Sequence, residues 1–419
     1  MGSELGLKLG FIAKNKQGLK MLIAGTVLQF FLGIIYVWSI FVTPVSNELS
    51  WDIDAVKLTS SFMLAFFALG VLIGGKMQVK LATQKIVLIG GLMMAGGMFA
   101  TAFVPAGTAW LIYISYGITG GFGVGIAYGT IISSVQKWFP QNRGVANGIN
   151  VCAFGLSTVI FAQLKEWLIF SFGLRSTFLI LSVVFFSATL LLFRFINQPG
   201  ETVVTSPTAN SQPVKKQYAL REMLATKEFY LIALSLMFLT ATYFTLNPSF
   251  KTLATERGLD PATGTALVMI TGVANALGRL LVPLLSDIIG RNNGAFLICA
   301  LTSLCAILLI FVHSIPFIAA IALIAFCYGG NAGIYPVITA DYFGVKNVGA
   351  NFGAVLVGFA LSALFFPMLI GFITTGAWKF VALGVLALLG AFLIIILKTL
   401  SPDLRYGENV SNTKNKEKI

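Results

Sequence analysis

The chain has 419 residues, 57% of them hydrophobic and only 10% charged, with a mean hydropathy of +0.89. A soluble domain carries about 25% charged residues, so this composition excludes a soluble globular protein and points to many bilayer crossings. Lys and Arg exceed Asp and Glu by 28 − 15 = 13, but the excess lies in loops between apolar stretches and forms no basic patch, so no nucleic-acid partner is expected.

In chain order, apolar windows of the ~20 residues that one crossing needs fall at 21–43, 55–76, 86–104, 108–136, 145–165 and 175–196. The first is a full span without a small-residue cleavage site, so it does not read as a removable signal peptide. Residues 197–227 then break the pattern with Pro199, Gly200, Pro207 and Pro213 in a Ser/Thr/Asn-rich run, the composition of a polar linker. Six further windows follow at 228–250, 262–286, 294–313, 315–340, 348–372 and 377–398, and a basic tail covers 399–419. The expected fold is all-α: twelve transmembrane helices in two six-helix bundles, residues 1–196 and 228–398.

Loop charge sets the orientation. Lys8, Lys14, Lys16 and Lys20 precede the first span, and Lys76, Lys80, Lys85, Lys137 and Arg143 fill later loops on the same side. The connection near 43–54 holds Glu48, Asp52 and Asp54 with no Lys or Arg, and the one near 105–108 is uncharged. By the positive-inside rule both termini face the cytoplasm. The expectation is a multi-pass protein of the cytoplasmic membrane, with the lipid bilayer as its surroundings and a monomer as the working unit.

The halves echo each other. Lys137-Trp138-Phe139-Pro140 and Arg143-Gly144-Val145-Ala146-Asn147-Gly148 join the fourth and fifth spans, and Asp341-Tyr342-Phe343-Gly344 and Val348-Gly349-Ala350-Asn351-Phe352-Gly353 occupy the matching place later. Parallel six-span halves are the arrangement of transporters that rock two bundles about a midplane site. The 43 glycines, dense in the fourth span and at the end of the second, suit close helix packing. No strand precedes them, so they are not a dinucleotide fingerprint.

Arg279 lies inside the eighth apolar window. A guanidinium at that depth costs at least ~2.5 kcal/mol and cannot escape by losing its proton, because its pKa stays above ~12. The nearest acid, Asp287, is eight residues on, ~12 Å along a helix and at the cytoplasmic end. An anionic ligand is therefore the expected partner; snorkelling towards the cytoplasm or pairing with Asp287 is the alternative. Gly272, Asn275 and Arg279 share a face at i, i+3 and i+7. The same spacing relates Tyr328, Asn331 and Tyr335 in the tenth span, Gln29, Gly33 and Tyr36 share a face of the first at i, i+4 and i+7, and Tyr128 sits between Gly125 and Gly129 in the fourth. Arg279, Asn275, Tyr36, Tyr128, Tyr328, Asn331, Tyr335 and Gln29 form the candidate substrate-binding set, although each tyrosine alone also fits ordinary packing.

Other polar residues have simpler readings. Cys152, Cys299, Cys305 and Cys327 lie in apolar runs without metal-ligand spacing and read as small core residues. His313 beside Pro316 reads as a loop residue at an outer helix end. Trp51, Trp110, Trp138, Trp167 and Trp378 fall near span ends and suit an interfacial belt. Lys57 starts the second span from the outer side, where lysine snorkels, and Lys165, Arg175 and Lys379 fall at outer ends, with attraction of anions as a side alternative. Neither a nucleophile–base pair nor a metal cluster appears, so no enzyme, metal or cofactor is expected.

Gly33-Ile34-Ile35-Tyr36-Val37-Trp38-Ser39, Gly125-Ile126-Ala127-Tyr128-Gly129, the Lys137–Gly148 segment and Gly278-Arg279 resemble the oxalate/formate antiporter branch of the major facilitator superfamily. They are also similar to the related bacterial monocarboxylate transporters, and the resemblance spans roughly residues 20–398. It implies a secondary transporter working by alternating access. It also implies a loop motif, glycine-x-x-x-aspartate-basic-x-glycine, after the second span. Here that place reads Gly75, Lys76, Met77, Gln78, Val79, Lys80, without the aspartate, whereas the second-half copy survives as Ser286-Asp287-Ile288-Ile289-Gly290-Arg291 with Pro283 at the leading glycine. Gating is therefore expected to rest on Asp287 and Arg291, with Arg143 and Asp341 from the repeated segments.

Oxalate exchangers of this branch resemble one another in carrying a second basic residue in the eleventh span, but Val355-Leu356-Val357-Gly358-Phe359-Ala360 has none. Animal monocarboxylate transporters carry an acid in the first span, also missing here. A dicarboxylate in a low-dielectric pocket needs two cationic partners and a monocarboxylate one. The expected cargo is thus a small monocarboxylate of the lactate, pyruvate or formate class, moved with protons or against a counter-anion. An oxalate/formate-type antiporter, an efflux transporter of another small molecule and a transporter-like membrane sensor are the alternatives.

Overall fold

The computed structural model describes residues 15–199, 217–373 and 376–400, and nearly all of them are helical. Eleven helices are long and apolar enough to cross a membrane. One of them, Arg143–Phe195, is 53 residues long and contains Gly173 at φ 77°, ψ 171°. Only glycine takes that backbone conformation readily, and the chain doubles back there. Lys165 before the turn and Phe178 after it meet the same ring, Phe41. The fifth and sixth spans are therefore two helices joined directly at the non-helical Gly173, which gives twelve crossings among the described residues.

Three spans depart from simple helices. The first runs Lys16–Leu32, tightens into a 3-10 turn at Gly33–Val37 and resumes at Ser39–Leu49. The fourth opens with a π-helical stretch, Tyr113–Gly120, before Gly121–Trp138. The seventh, Lys227–Leu246, passes through Asn247–Ser249 into the short helix Phe250–Glu256. The eighth is Pro261–Ile289, the tenth Ser314–Phe343 and the eleventh Val348–Ile373. Such breaks in a spanning helix are tolerated where neighbouring protein covers them and often mark functional positions.

Both halves open and close at one end of the molecule. Asn15 and Gly18 lie by Phe139, Trp138 donates to the Asn197 carbonyl (2.9 Å), the Tyr218 amide donates to Phe343 (3.0 Å), and Lys398 donates to Asn293 (3.0 Å). Residues 200–216 and 401–419 of the expected linker and tail lie outside the described residues.

The halves meet along two helix pairs. The second span crosses the eleventh where Gly75 abuts Gly349 and Ala350, and the fifth crosses the eighth where Gly148 abuts Arg279 and Leu280. In the first crossing a β-carbon on Gly75 would collide with the opposing backbone, so the small residue is what permits this approach.

Most of the outlying residues fall as expected. Trp110, Trp167 and Trp378 are exposed, as are Lys57, Arg175 and His313, and Trp51 is half-buried. Cys299, Cys305 and Cys327 are buried. Trp138 and Lys165 are corrections. Trp138 is buried because its indole caps the end of the sixth span through Asn197. Lys165 is wholly buried because its helix continues past the expected boundary to Gly173, leaving the lysine two turns inside.

Candidate functional site

Arg279 projects from the eighth span into the seam between the halves and is 0% exposed. Gly155 of the fifth span makes room for it: a β-carbon there would press on the arginine Cδ (3.0 Å) and Nε (3.2 Å). Nε donates to Asn275 Oδ1 one turn earlier (2.7 Å), which fixes the plane of the guanidinium. Its carbon lies 5.4 Å from the Tyr36 ring centroid and 5.2 Å from that of Phe154, both within cation–π range. Among the described residues Nη1 and Nη2 make no hydrogen bond of good geometry, although Tyr36 and Tyr128 stand beside the guanidinium. These are the two nitrogens that arginine presents side by side to a carboxylate.

The surroundings are aromatic and come from both halves. Successive ring contacts run Tyr36–Phe154 (5.5 Å), Phe154–Tyr128 (5.0 Å), Tyr128–Phe67 (5.0 Å), Phe67–Phe359 (6.2 Å), Phe359–Phe244 (4.8 Å), Phe244–Tyr328 (5.6 Å) and back to Tyr36 (6.3 Å). This is a closed circuit of seven rings. Tyr243 stacks on Tyr328 at 3.8 Å and 6°, and the Tyr36 and Tyr328 hydroxyls share a hydrogen bond of 3.0 Å across the seam. Tyr36, Tyr128 and Tyr328 all lie close enough to act electrostatically on the guanidinium. This cluster of side chains, called the chamber below, thus holds one fixed cation, phenol and amide groups, and no carboxylate partner for Arg279 among the described residues.

Arg279, Asn275, Tyr36, Tyr128 and Tyr328 are therefore brought together. Asn331 follows Tyr328 by one turn and is buried with Nδ2 unpartnered. Tyr335 and Gln29 have partners within their own halves. The Tyr335 hydroxyl is bonded to Ser235 of the seventh span (3.0 Å). The Gln29 amide donates to Asn150 (3.2 Å) and the Tyr128 carbonyl (3.5 Å). Each is engaged inside its own half, because the face it shares with a chamber residue turns away along the helix. Nothing in the sequence marks Phe67, Phe154, Tyr243 or Phe244 as site residues: Phe67 and Phe154 stand near Gly70 and Gly155, but the seventh span that carries Tyr243 and Phe244 has no glycine at all.

The four expected gating residues form a second cluster at the linker end. Arg143 Nη1 donates to Asp341 Oδ1 (2.8 Å), joining the first half to the second. Arg291 Nε donates to the other Asp341 oxygen (3.2 Å) and is paired with Asp287. The Asp287 carboxylate rests against Gly144, at the start of the helix that begins at Arg143, where unsatisfied amides favour a negative charge. One turn further the Asn147 amide donates to the Gly333 carbonyl, again across the seam (2.8 Å). Val79, at the missing aspartate's position, is 77% exposed.

The Major Facilitator Superfamily model matches residues 22–250 and 232–417. The chain belongs to the major facilitator superfamily. It is a multi-pass membrane transporter and not an enzyme. Relatives include YhjX of Escherichia coli strain K12, described as an uncharacterized MFS-type transporter, 27% identical over 353 residues covering 82% of this chain and 85% of that one. The oxalate:formate antiporter of Oxalobacter formigenes is 25% identical over 346 residues, 80% and 79% of the two chains. Monocarboxylate transporter 13 of Rattus norvegicus is 23% identical over 352 residues, 82% and 79%. Among solved structures, the human organic anion transporter MFSD10 (TETRAN) superposes with a TM-score of 0.64 over 90% of this chain and 99% of that one at 15% identity, a likeness of fold.

Proposed function

We propose that this transporter carries a small monocarboxylate of the lactate, pyruvate or formate class across the cytoplasmic membrane by alternating access. One observation carries the reading: Arg279 is buried against the Tyr36 and Phe154 rings, with its Nε fixed by Asn275 and no carboxylate partner for its terminal nitrogens among the described residues. A buried unpaired charge is costly, and a carboxylate accepting two parallel hydrogen bonds offsets that cost. The relatives described as an oxalate:formate antiporter and a monocarboxylate transporter support an organic anion as cargo. A single cation opposite Phe359 favours one carboxylate over two.

The bare guanidinium also bears on coupling. Crossing the membrane loaded leaves Arg279 neutralised, whereas crossing empty leaves it unpaired, so exchange of one anion for another is the favoured mode. In this reading both termini are cytoplasmic and the Arg143–Asp341 cluster closes the cytoplasmic side. Uptake of radiolabelled formate, lactate, pyruvate and oxalate into proteoliposomes, with and without internal anion or a pH gradient, tests the proposal. Internal monocarboxylate should accelerate uptake, and unlabelled lactate or pyruvate should displace label better than oxalate. Efflux of an uncharged compound would not need Arg279, so normal transport in Arg279→Ala would remove the reading.

A further inference from the structure

Lys165 takes no part in the chamber, yet it is a buried amine with no carboxylate bonded to it among the described residues. Its Nζ lies 4.1 Å from the Phe41 ring centroid and donates to the Val37 carbonyl at 3.3 Å. That carbonyl is free for a local reason. In an uninterrupted α-helix it would accept from the Phe41 amide, but the Phe41 amide donates to Trp38 instead (2.8 Å). The 3-10 turn Gly33–Val37 thus leaves an acceptor over, and Lys165 takes it.

The same fifth-span helix holds the other end of the turn. Gly33 is pressed so close to the Phe154 carbonyl and Ser157 Oγ that a β-carbon could not be added. Between these two anchors stands Tyr36, over Arg279 and hydrogen-bonded to Tyr328. A 3-10 turn advances about 20° more per residue than an α-helix, from 3.0 against 3.6 residues per turn. Relaxing three or four residues of it would swing Tyr36 by about 60–80°, off the guanidinium. Holding the turn is therefore the same as aiming the tyrosine.

We propose that Lys165 is a positioning residue for the anion site: by capping the Val37 carbonyl and resting on Phe41 it keeps the first span's 3-10 turn wound and so holds Tyr36 over Arg279. The inference rests on the reading of Arg279 as the carboxylate's partner. It explains why a lysine is buried where an apolar residue would cost less.

The test uses the full chain in proteoliposomes with [14C]formate and [14C]lactate. Lys165→Met, which keeps length and loses the amine, should raise KM at least fivefold with Vmax within twofold. Tyr36→Phe should raise KM by itself, and the double variant should be no worse than the worse single one. Phe41→Leu, which removes only the ring beneath Nζ, should move KM in the same direction and serves if Lys165→Met does not insert. A readout free of transport is maleimide labelling of Tyr36→Cys, which should speed up at least fivefold in the Lys165→Met background while buried Cys299 stays unlabelled. Unchanged KM and unchanged labelling, or singles whose effects multiply in full, would overturn the inference. Arg279→Lys run in parallel separates the two failures: if it is harmless the site reading falls, and if it is damaging while Lys165→Met is silent only the positioning role falls.

Discussion

Two charged clusters sit on the seam between the halves, and they are built on opposite principles. At the linker end, Arg143 and Arg291 face Asp287 and Asp341, two cations for two anions, all partly reachable by water. In the chamber, Arg279 stands with an amide and phenols and no carboxylate partner among the described residues. Matched charges can hold two surfaces together and let go, since desolvating them is cheap near water. An unmatched buried charge is a standing cost that only a partner from outside removes. The first arrangement suits a latch and the second a binding site.

Removing the unmatched charge should have the largest effect. Arg279→Lys keeps the cation but loses the planar fork, and uptake of labelled monocarboxylate should fall at least about tenfold, equivalent to ~1.4 kcal/mol. Arg279→Ala should fall further. If Arg279→Lys transports normally, the contrast between the clusters has no functional content.

Breaking the matched cluster comes next. Asp341 is shared by Arg143 and Arg291, so Asp341→Asn leaves two guanidinium groups short of one carboxylate. We expect the cytoplasmic side to open more readily, read as faster alkylation of engineered cysteines there, by several-fold and not by orders of magnitude. The side chains are 10–18% exposed, and water moderates the loss. Supplying the chamber with a second cation sharpens the comparison from the other side. Phe359 closes the aromatic circuit between Phe67 and Phe244, and Phe359→Lys should shift competition towards oxalate by a few-fold. If oxalate is already the best competitor in the unaltered protein, the count of one cation for one carboxylate is wrong.

Much of this was legible in the sequence, for identifiable reasons. Hydropathy gives the spans because a bilayer demands a minimum apolar length. Arg279 stands out because charge inside such a length is rare, and the latch residues stand out because the Lys137–Gly148 segment is echoed around Asp341. The ring circuit was not legible. With 36 phenylalanines in the chain, an aromatic residue in a span reads as packing, and nothing local marks Phe67 or Phe154 as neighbours of a guanidinium. Helical spacing also fixes which residues share a face but not what that face meets, and so Tyr335 and Gln29 were grouped with Tyr328 and Tyr36 although their side chains stay within one half. Lys165 was missed because an apolar window has no way to register that the helix goes on to Gly173.

The smallest effect belongs to the two loops that follow the second and eighth spans, which the pseudo-repeat makes equivalent. In the second half a carboxylate, Asp287, reaches across to Gly144 at the start of the fifth-span helix and is held by Arg291. In the first half the corresponding residue is Val79, which points to the outside, and the group nearest the start of the eleventh-span helix at Gly349 is the amide of Gln78. A negative charge at a helix start is worth ~0.3–1 kcal/mol, more when partly buried, whereas an uncharged amide gains little there. Asp287→Asn should therefore shift the balance between outward-open and inward-open forms by about two- to threefold towards inward-open, with ~0.4–0.7 kcal/mol behind it at 1.4 kcal/mol per tenfold. Val79→Ala should leave the balance within experimental error, since an exposed side chain at that position holds nothing. Cysteine accessibility measured from both membrane sides reads this directly. Equal shifts from the two changes would mean that the loops are equivalent in energy as well as in sequence position, and that the latch rests on Asp341 alone.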